Sequence, residues 1–403
     1  MSCISKQAQI SRAIQVISNL VLVFASIVAC IVVVFICGEA ILRFQFGSVP
    51  PGPNKSWIQH DSTIGWVLKP GSYSFFHVSA FRRVELSVNE LGLRNKPISV
   101  KAPASRTRVS VLGDSFVFGA SQSDGETLTD QMQSLAGDEY EIVNISAERY
   151  GTGQQIRLLE RLEASGYEMG SKLVLMFFPN DILDNLALNY GKLTYAPRQP
   201  KFRVDDTGRL TQFGPAPPDK DKKKYEPTTY NKSLFYRYLL HNFETIATAY
   251  PSLTKVLFSI GLAPSLPRRP GIIGAWYGIG WEERWANTRE ILTYFVHKMR
   301  KEKAGTEVYI AFLPSPFQVH EIFSRVVEAN QDQDPTFKEF LVDVDRPQRM
   351  LKKFCDSQGI NFIDTTIALR AVPIAYLPRD GHLNQIGTDI VARLLLEQIT
   401  TRE

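Results

Sequence analysis

The sequence predicts an α/β fold on a parallel sheet of about five strands, carried behind an N-terminal membrane helix. Three observations predict it. From Arg108 onward, short apolar runs alternate with segments of helical spacing, the pattern of strands buried on both faces and covered by helices. Leu20 to Cys37 reads LVLVFASIVACIVVVFIC, with no charge and no proline. Small polar residues follow several of the strand runs, and in an open parallel sheet that is where ligands sit.

The membrane helix comes first in the chain. At about 1.5 Å per residue, Leu20 to Cys37 spans roughly 27 Å, close to the hydrocarbon thickness of about 30 Å. Ile14, Val16 and Ile17 extend it, giving an anchor over residues 14–37 behind a tail of residues 1–13. A cleaved signal would have a shorter apolar region and a small-residue cleavage site, for which Gly38-Glu39-Ala40 is a poor candidate. Cys30 and Cys37 sit within or at the end of the run and are not read as lipid sites. Lys6 and Arg12 precede the run with no acidic residue among them, so the positive-inside tendency puts the tail in the cytoplasm. The rest is then expected to be extracytoplasmic: the periplasm or exterior of a bacterium, or the lumen in a eukaryote.

The remaining chain has ordinary globular composition, with 44% hydrophobic and 22% charged residues in 403 and a formal charge of +5. The basic run Lys220 to Lys224 lies in a Pro-rich neighbourhood and reads as a solvated loop, so no nucleic-acid partner is expected. Only Cys355 lies beyond the anchor, so no intrachain disulfide forms there. No Cys/His spacing suggests zinc, and no metal is expected.

Residues 38–105 read as a linker and a small β-rich segment. Gly47 to Pro53 is the Pro/Gly linker, and Trp57 to Pro97 holds short strands and turns with too little apolar mass for a core of its own. The main domain is expected over residues 106–403. Its strands are RVSVLG, YEIVNIS, KLVLMFF, EVYIAFLP and INFIDTT. Its helices are Leu128–Leu135, Gln154–Ala164 with Ile156, Leu158, Leu159 and Leu162 on one face, Trp281–Lys303, Arg349–Asp356, and Asn384–Ile399. Residues 186–280 interrupt the alternation. They hold a hairpin turning at Asp206-Thr207-Gly208 and a helix Leu234–Tyr250, and read as an insertion or lid over the sheet.

The chemistry lies in the turns. Gly113-Asp114-Ser115 follows the first strand, Asn144 to Gln155 the second, and Pro179-Asn180-Asp181 the third. Asp380 and His382 precede the last helix. Serine, histidine and aspartate are the parts of a nucleophile, a base and an orienting acid. Each also has a plain structural use: Gly-Asp-Ser as a turn, Asn180-Asp181 as a helix cap, His382 as a surface histidine. Of the other histidines, His320 follows the fourth strand and is the one competitor, while His60, His77, His241 and His297 have weaker context. Val117 stands where the nucleophile elbow of α/β-hydrolases needs glycine, and no Lys-Ser/Thr follows the glycines as in a phosphate loop.

Taken in order, GDSFVFG, the Asn-containing turn, Asn180-Asp181 and DGHLNQIG resemble the SGNH/GDSL hydrolase family over about residues 108–185 and 360–399. VNELGLRN and the anchor resemble its membrane-anchored bacterial members. The resemblance implies a three-layer flavodoxin-like fold, no cofactor, and work on extracellular polysaccharide. It implies Ser115 as nucleophile, His382 as base and Asp380 as acid; many members carry that acid three residues before the histidine, where Arg379 stands here. It implies an oxyanion hole from the Ser115 N–H, the Asn180 side chain and a glycine N–H after the second strand. Arg149 occupies that glycine position, with Gly151 two residues on, and Phe178 stands where the glycine before Asn180 is missing.

The expectation is a serine esterase that removes O-acyl groups, acetyl foremost, from an extracytoplasmic glycan. One alternative is an O-acetyltransferase acting on exopolysaccharide with the same triad, its acceptor under the 186–280 insertion. Another is a non-catalytic glycan-binding scaffold of an envelope export complex, with polysaccharide assembly proteins as partners. A fourth reading is a metal-dependent phosphoesterase built on Asp114, Asp181 and Asp184.

Overall fold

The computed structural model describes residues 2–47, 56–77, 79–188, 199–213, 233–250, 271–377 and 380–401. The basic run at Lys220 and the residue Arg379 lie outside them. The chain forms two compact units, residues 1–52 with 225–240, and residues 53–224 with 241–403.

The first unit is built on helix α1, Ser2–Phe46. Over Ile14–Phe46 its most apolar 18-residue window has mean hydropathy 3.3 and none of it is buried, so by length and composition it is a candidate membrane span. The helix does not stop at Cys37. Glu39 and Arg43 pair one turn apart at 2.7 Å and carry it on to Phe46, where Gly47 takes the left-handed conformation that ends it. Glu39 Oε2 also accepts the Ser233 hydroxyl and the Phe235 N–H, each at 2.9 Å, and so caps the start of the helix Leu234–Ala249.

The second unit holds two N-terminal hairpins, a parallel sheet and its helices. Strands β1 (Ile58–Asp61) and β2 (Gly65–Leu68) pair antiparallel, as do β3 (Gly71–His77) and β4 (Arg82–Val88). The sheet strands are β5 (Thr107–Gly113), β6 (Tyr140–Ser146), β7 (Lys172–Phe177), β10 (Glu307–Phe312) and β11 (Asn361–Asp364), with β8 (Lys201–Val204) and β9 (Leu210–Phe213) forming a separate hairpin. The spatial order is β11-β10-β7-β5-β6, all parallel. This is the flavodoxin-like order, with a topological switch beside β5, where ligands bind in open sheets.

Period-two alternation divides the sheet's side chains between two cores. Leu173, Leu175, Phe177, Ile310 and Phe312 face one, and Val174, Met176, Val109, Val111 and Tyr309 face the other. Helices α4 (Thr152–Ala164) and α6 (Trp281–Glu302) cover the first face, and α3 (Leu128–Ala136) and α7 (Gln385–Thr400) the second. Two further helical elements matter below: α2, the turn Ser115–Phe118, and α5, the turn Asp181–Asp184.

Of the 186–280 insertion, the described hairpin β8–β9 packs on the helix layer. Phe202 is buried against Gly153 of α4, where a Cβ would come within 2.5 Å of it, and its N–H donates to Asn185 O at 2.8 Å. The hairpin thus thickens the helix layer, because its alternating Phe202 and Leu210 need an apolar partner.

The N-terminal hairpins have no sheet to join, yet they are held firmly. Arg94 is 4% exposed. Its guanidinium donates to Phe118 O at 2.8 Å, Gly119 O at 2.7 Å and Gln122 O at 2.6 Å, and reaches Asp124 Oδ1 at 3.3 Å. Next to it, Asn95 exchanges two bonds with the backbone of Asn144 on β6, at 2.9 and 3.0 Å. A buried five-donor cation pairs the carbonyls of Phe118 and Gln122 and gives Gly119 O, which already accepts the Gln122 N–H at 3.0 Å, a second donor.

Replacing Arg94 by Met keeps the apolar stem and removes the guanidinium bonds to Phe118 O, Gly119 O and Gln122 O. The variant is expected to lose about 3 kcal/mol of stability, read as a lower denaturation midpoint of the full chain in detergent.

Candidate active site

The site is built at the carboxyl end of β5. Gly113 ends the strand, and a Cβ there would lie 2.2 Å from Val117 Cγ2, so only glycine lets the chain fold back onto its own next turn. Asp114 caps that turn, accepting the Phe116 N–H at 3.0 Å. Ser115 opens α2, so its own N–H is one of the first-turn amides for which a helix provides no acceptor.

His382 arrives from the other end of the chain. Tyr376 and Leu383 form an antiparallel bridge, Leu377 N–H donates to His382 O at 2.8 Å, and Gly381 in the left-handed region closes the loop with a bond to Leu377 O at 3.0 Å. Asn384 then caps α7, accepting Gly387 N–H at 2.9 Å. The loop is thus pinned on both sides. His382 Nε2 lies 2.8 Å from Ser115 Oγ, and His382 Nδ1 is hydrogen-bonded to Asp380 Oδ1. Residues separated by 267 positions are brought into a serine–imidazole–carboxylate line.

The electrostatics follow from this line. Burial alone would depress the imidazole, but the Asp380 carboxylate outweighs it and raises the His382 pKa above 6.5. Burial pushes Asp380 up, but His382, through charge and hydrogen bond, and then His77 hold it well below the ordinary carboxylate range. His320, the competing histidine, is elsewhere: its Nε2 accepts the Ala375 N–H at 3.1 Å, and burial pushes it down to about 4. It supports the loop from behind.

Asn180 sits at the end of β7, donating its amide to Asp184 Oδ2 at 2.7 Å. Gly151 does not offer a free N–H to an oxyanion: that group donates to Gln154 Oε1 at 3.2 Å, within the cap of α4. Gly151 is required for another reason, since a Cβ there would meet the Asn185 backbone at 2.8 Å. Arg149 is exposed with φ of 63°, the left-handed region that glycine favours. A non-glycine residue there costs about 1–2 kcal/mol, so the arginine is tolerated against a backbone preference. Its carbonyl accepts Gln199 Nε2 at 3.0 Å.

Asp114, Asp181 and Asp184 are all fully buried. Asp181 accepts the Phe178 N–H at 3.0 Å and Gln155 Nε2 at 3.1 Å, while Asp184 holds Asn180. Among the described residues no three His, Cys, Asp or Glu side chains are arranged to hold a metal ion. Burial raises Asp114 to about 6, and it raises Asp181 well above its ordinary value, with Asp114 and Asp184 adding to the rise.

A raised carboxyl pKa means that the folded state binds the proton more tightly than the unfolded chain. Stability from this group is therefore present below the unfolded value and lost as pH rises through the folded one. Asp181→Asn removes that loss, and a turned Gln155 amide preserves both bonds. The variant is expected to melt higher than the parent at about pH 8, with the gain shrinking toward about pH 5, as differential scanning fluorimetry would show.

No family model matches this sequence, and no curated protein matches it. Solved structures with a similar chain course include a carbohydrate acetylesterase family member from Sinorhizobium meliloti, at 11% identity, covering 73% of this chain and 98% of that one with a TM-score of 0.34. A member of the lipolytic protein G-D-S-L family from Veillonella parvula has 13% identity, coverage of 73% and 99%, and a TM-score of 0.34. The M. smegmatis aryl esterase in its inhibitor-bound form has 10% identity, coverage of 73% and 99%, and a TM-score of 0.36.

Proposed function

We propose that this chain is a serine ester hydrolase that removes O-acyl groups, acetyl foremost, from an extracytoplasmic glycan. One observation carries the reading: His382 Nε2 stands 2.8 Å from Ser115 Oγ while its other ring nitrogen is held by Asp380. A serine hydroxyl is unreactive at neutral pH until a base takes its proton, and this contact is within transfer distance.

The chemistry then balances as follows. Ser115 Oγ attacks the ester carbon as its proton passes to His382 Nε2. Asp380 stabilises the imidazolium. The Ser115 N–H and the Asn180 amide stabilise the oxyanion, with the Arg149 N–H as third donor. Asn180 meets the oxyanion by turning its amide from Asp184 Oδ2. His382 returns the proton to the departing alcohol oxygen. Water repeats the sequence on the acyl-serine and releases the acid and the free hydroxyl.

Two observations support the substrate class. The Phe116 ring packs at 4.8 Å on His382 and at 4.1 Å on Phe178, so aromatic carbon crowds the serine and suits a small acyl group. The charge pattern around α1 favours a site outside the cytoplasm, where acylated glycans are found.

Purified full chain is expected to release acetate from an acetyl ester, and Ser115→Ala to reduce kcat by more than about 10⁴-fold. Undiminished turnover by that variant would overturn the reading. The base must be neutral, and its pKa is raised, so kcat/KM is expected to rise with pH through a midpoint above about 6.5. Asp380→Asn is expected to move that midpoint down and to lower kcat by about 10²–10⁴-fold.

A further inference from the structure

We propose that His77, the last residue of β3, is a positioning residue for Asp380, so that this carboxylate is held between two imidazoles. The inference rests on the esterase reading of the same site and adds to it a residue from outside the α/β core.

The geometry is specific about atoms. His77 Nε2 lies 3.6 Å from Asp380 Oδ2, whereas His382 Nδ1 takes Asp380 Oδ1. Each oxygen of the carboxylate therefore has its own imidazole. On the far side of the His77 ring, Nδ1 accepts the Ala80 N–H at 3.1 Å. A nitrogen that accepts must keep its lone pair, so neutral His77 carries its proton on Nε2, the nitrogen that faces Asp380. Both side chains are largely withdrawn from water, at 13% and 20% exposure.

His77 stays neutral in this setting. Burial opposes its charged form first. Asp380 and Glu148 favour that form, while His382 and Arg82 oppose it, and the balance lowers its pKa. Protonation would also turn Nδ1 into a donor facing the Ala80 N–H. A neutral donor suits the position, because a second cation would draw the carboxylate away from His382. Without His77 beside Oδ2, only His382, through its ring and its backbone N–H, restrains the carboxyl plane against turning about χ2, and the line from Asp380 through His382 to Ser115 is held less tightly.

The hairpin is built to hold the ring still. His77 pairs with Arg82 across β3 and β4, and Phe75, two residues earlier on the strand, stacks on Trp57 at 4.8 Å. The N-terminal hairpin is thus read as part of the site's support.

Two measurements on the full chain in detergent test this. With ¹⁵N-labelled histidine, His77 is assigned among the six histidines by loss of its signal in His77→Gln. Long-range ¹H–¹⁵N correlation is expected to show it neutral and protonated at Nε2 at about pH 8. A cationic ring, or a proton on Nδ1, overturns the proposal, and this readout needs no turnover. In kinetics, His77→Phe is expected to lower kcat about tenfold with KM changed less than about twofold. His77→Gln, whose amide can donate from the same place, is expected to recover at least about half of that kcat. A folded Phe variant with parental kcat, or a Gln variant no better than Phe, overturns it. If Phe fails to fold, Gln and the tautomer decide. A parent chain that cleaves no ester instead defeats the esterase reading, and the tautomer alone then decides the placement of His77.

Discussion

The Arg94 guanidinium is the contact on which the site's architecture most depends. It closes on the carbonyls of Phe118, Gly119 and Gln122, at the end of the Ser115 turn and just after it. Gln122 in turn bonds Thr388 on the last helix, the helix that begins just after His382. One buried cation therefore ties the N-terminal hairpin segment, the Ser115 turn and the C-terminal helix into a single frame. Two of these parts are small by themselves, a four-residue helix and a two-stranded hairpin. Charged hydrogen bonds to several carbonyls at once are stronger than neutral ones and leave little freedom. The 2.8 Å distance between Ser115 and His382 inherits its precision from that frame.

Much of this was legible in the sequence, for definite reasons. Leu173 to Phe177 and Val308 to Phe312 read as strands because a sheet covered on both faces demands apolar residues at every position. Ser115, Asn180 and His382 stood out because each follows a strand or precedes a helix, where polar residues are not needed for packing. Their convergence is a tertiary fact that the order of motifs only suggested. Two features were out of reach. His77 lies in a segment of alternating, unremarkable polarity, and nothing local distinguishes it from His60; only the fold of the hairpin brings it to Asp380. The continuation of α1 to Phe46 was masked by the polar pair Glu39 and Arg43, which reads as the end of an anchor but functions as an intrahelical bridge and a cap.

The position of Arg149 also acquires a physical meaning. A turn that needs positive φ is normally given to glycine, and here an exposed arginine adopts it. The turn thus takes a glycine-like backbone conformation with an exposed cationic side chain on it. The carboxyls behind the serine point the same way. Asp114 and Asp181 are costly to ionise, and each caps or braces a turn at a strand end: Asp114 bonds the Phe116 N–H and Asp181 the Phe178 N–H. Stability is given up locally so that the ends of β5 and β7 hold one shape.

The central claim is that Ser115 is an activated nucleophile and not the punctuation of a turn. The most direct measurement is mass spectrometry of the full chain after exposure to a fluorophosphonate, which captures an activated serine without requiring knowledge of the substrate. A single adduct on Ser115 is predicted, absent from Ser115→Ala and strongly slowed in His382→Ala. A folded parent chain that leaves Ser115 unmodified, or that labels equally well without His382, would contradict it.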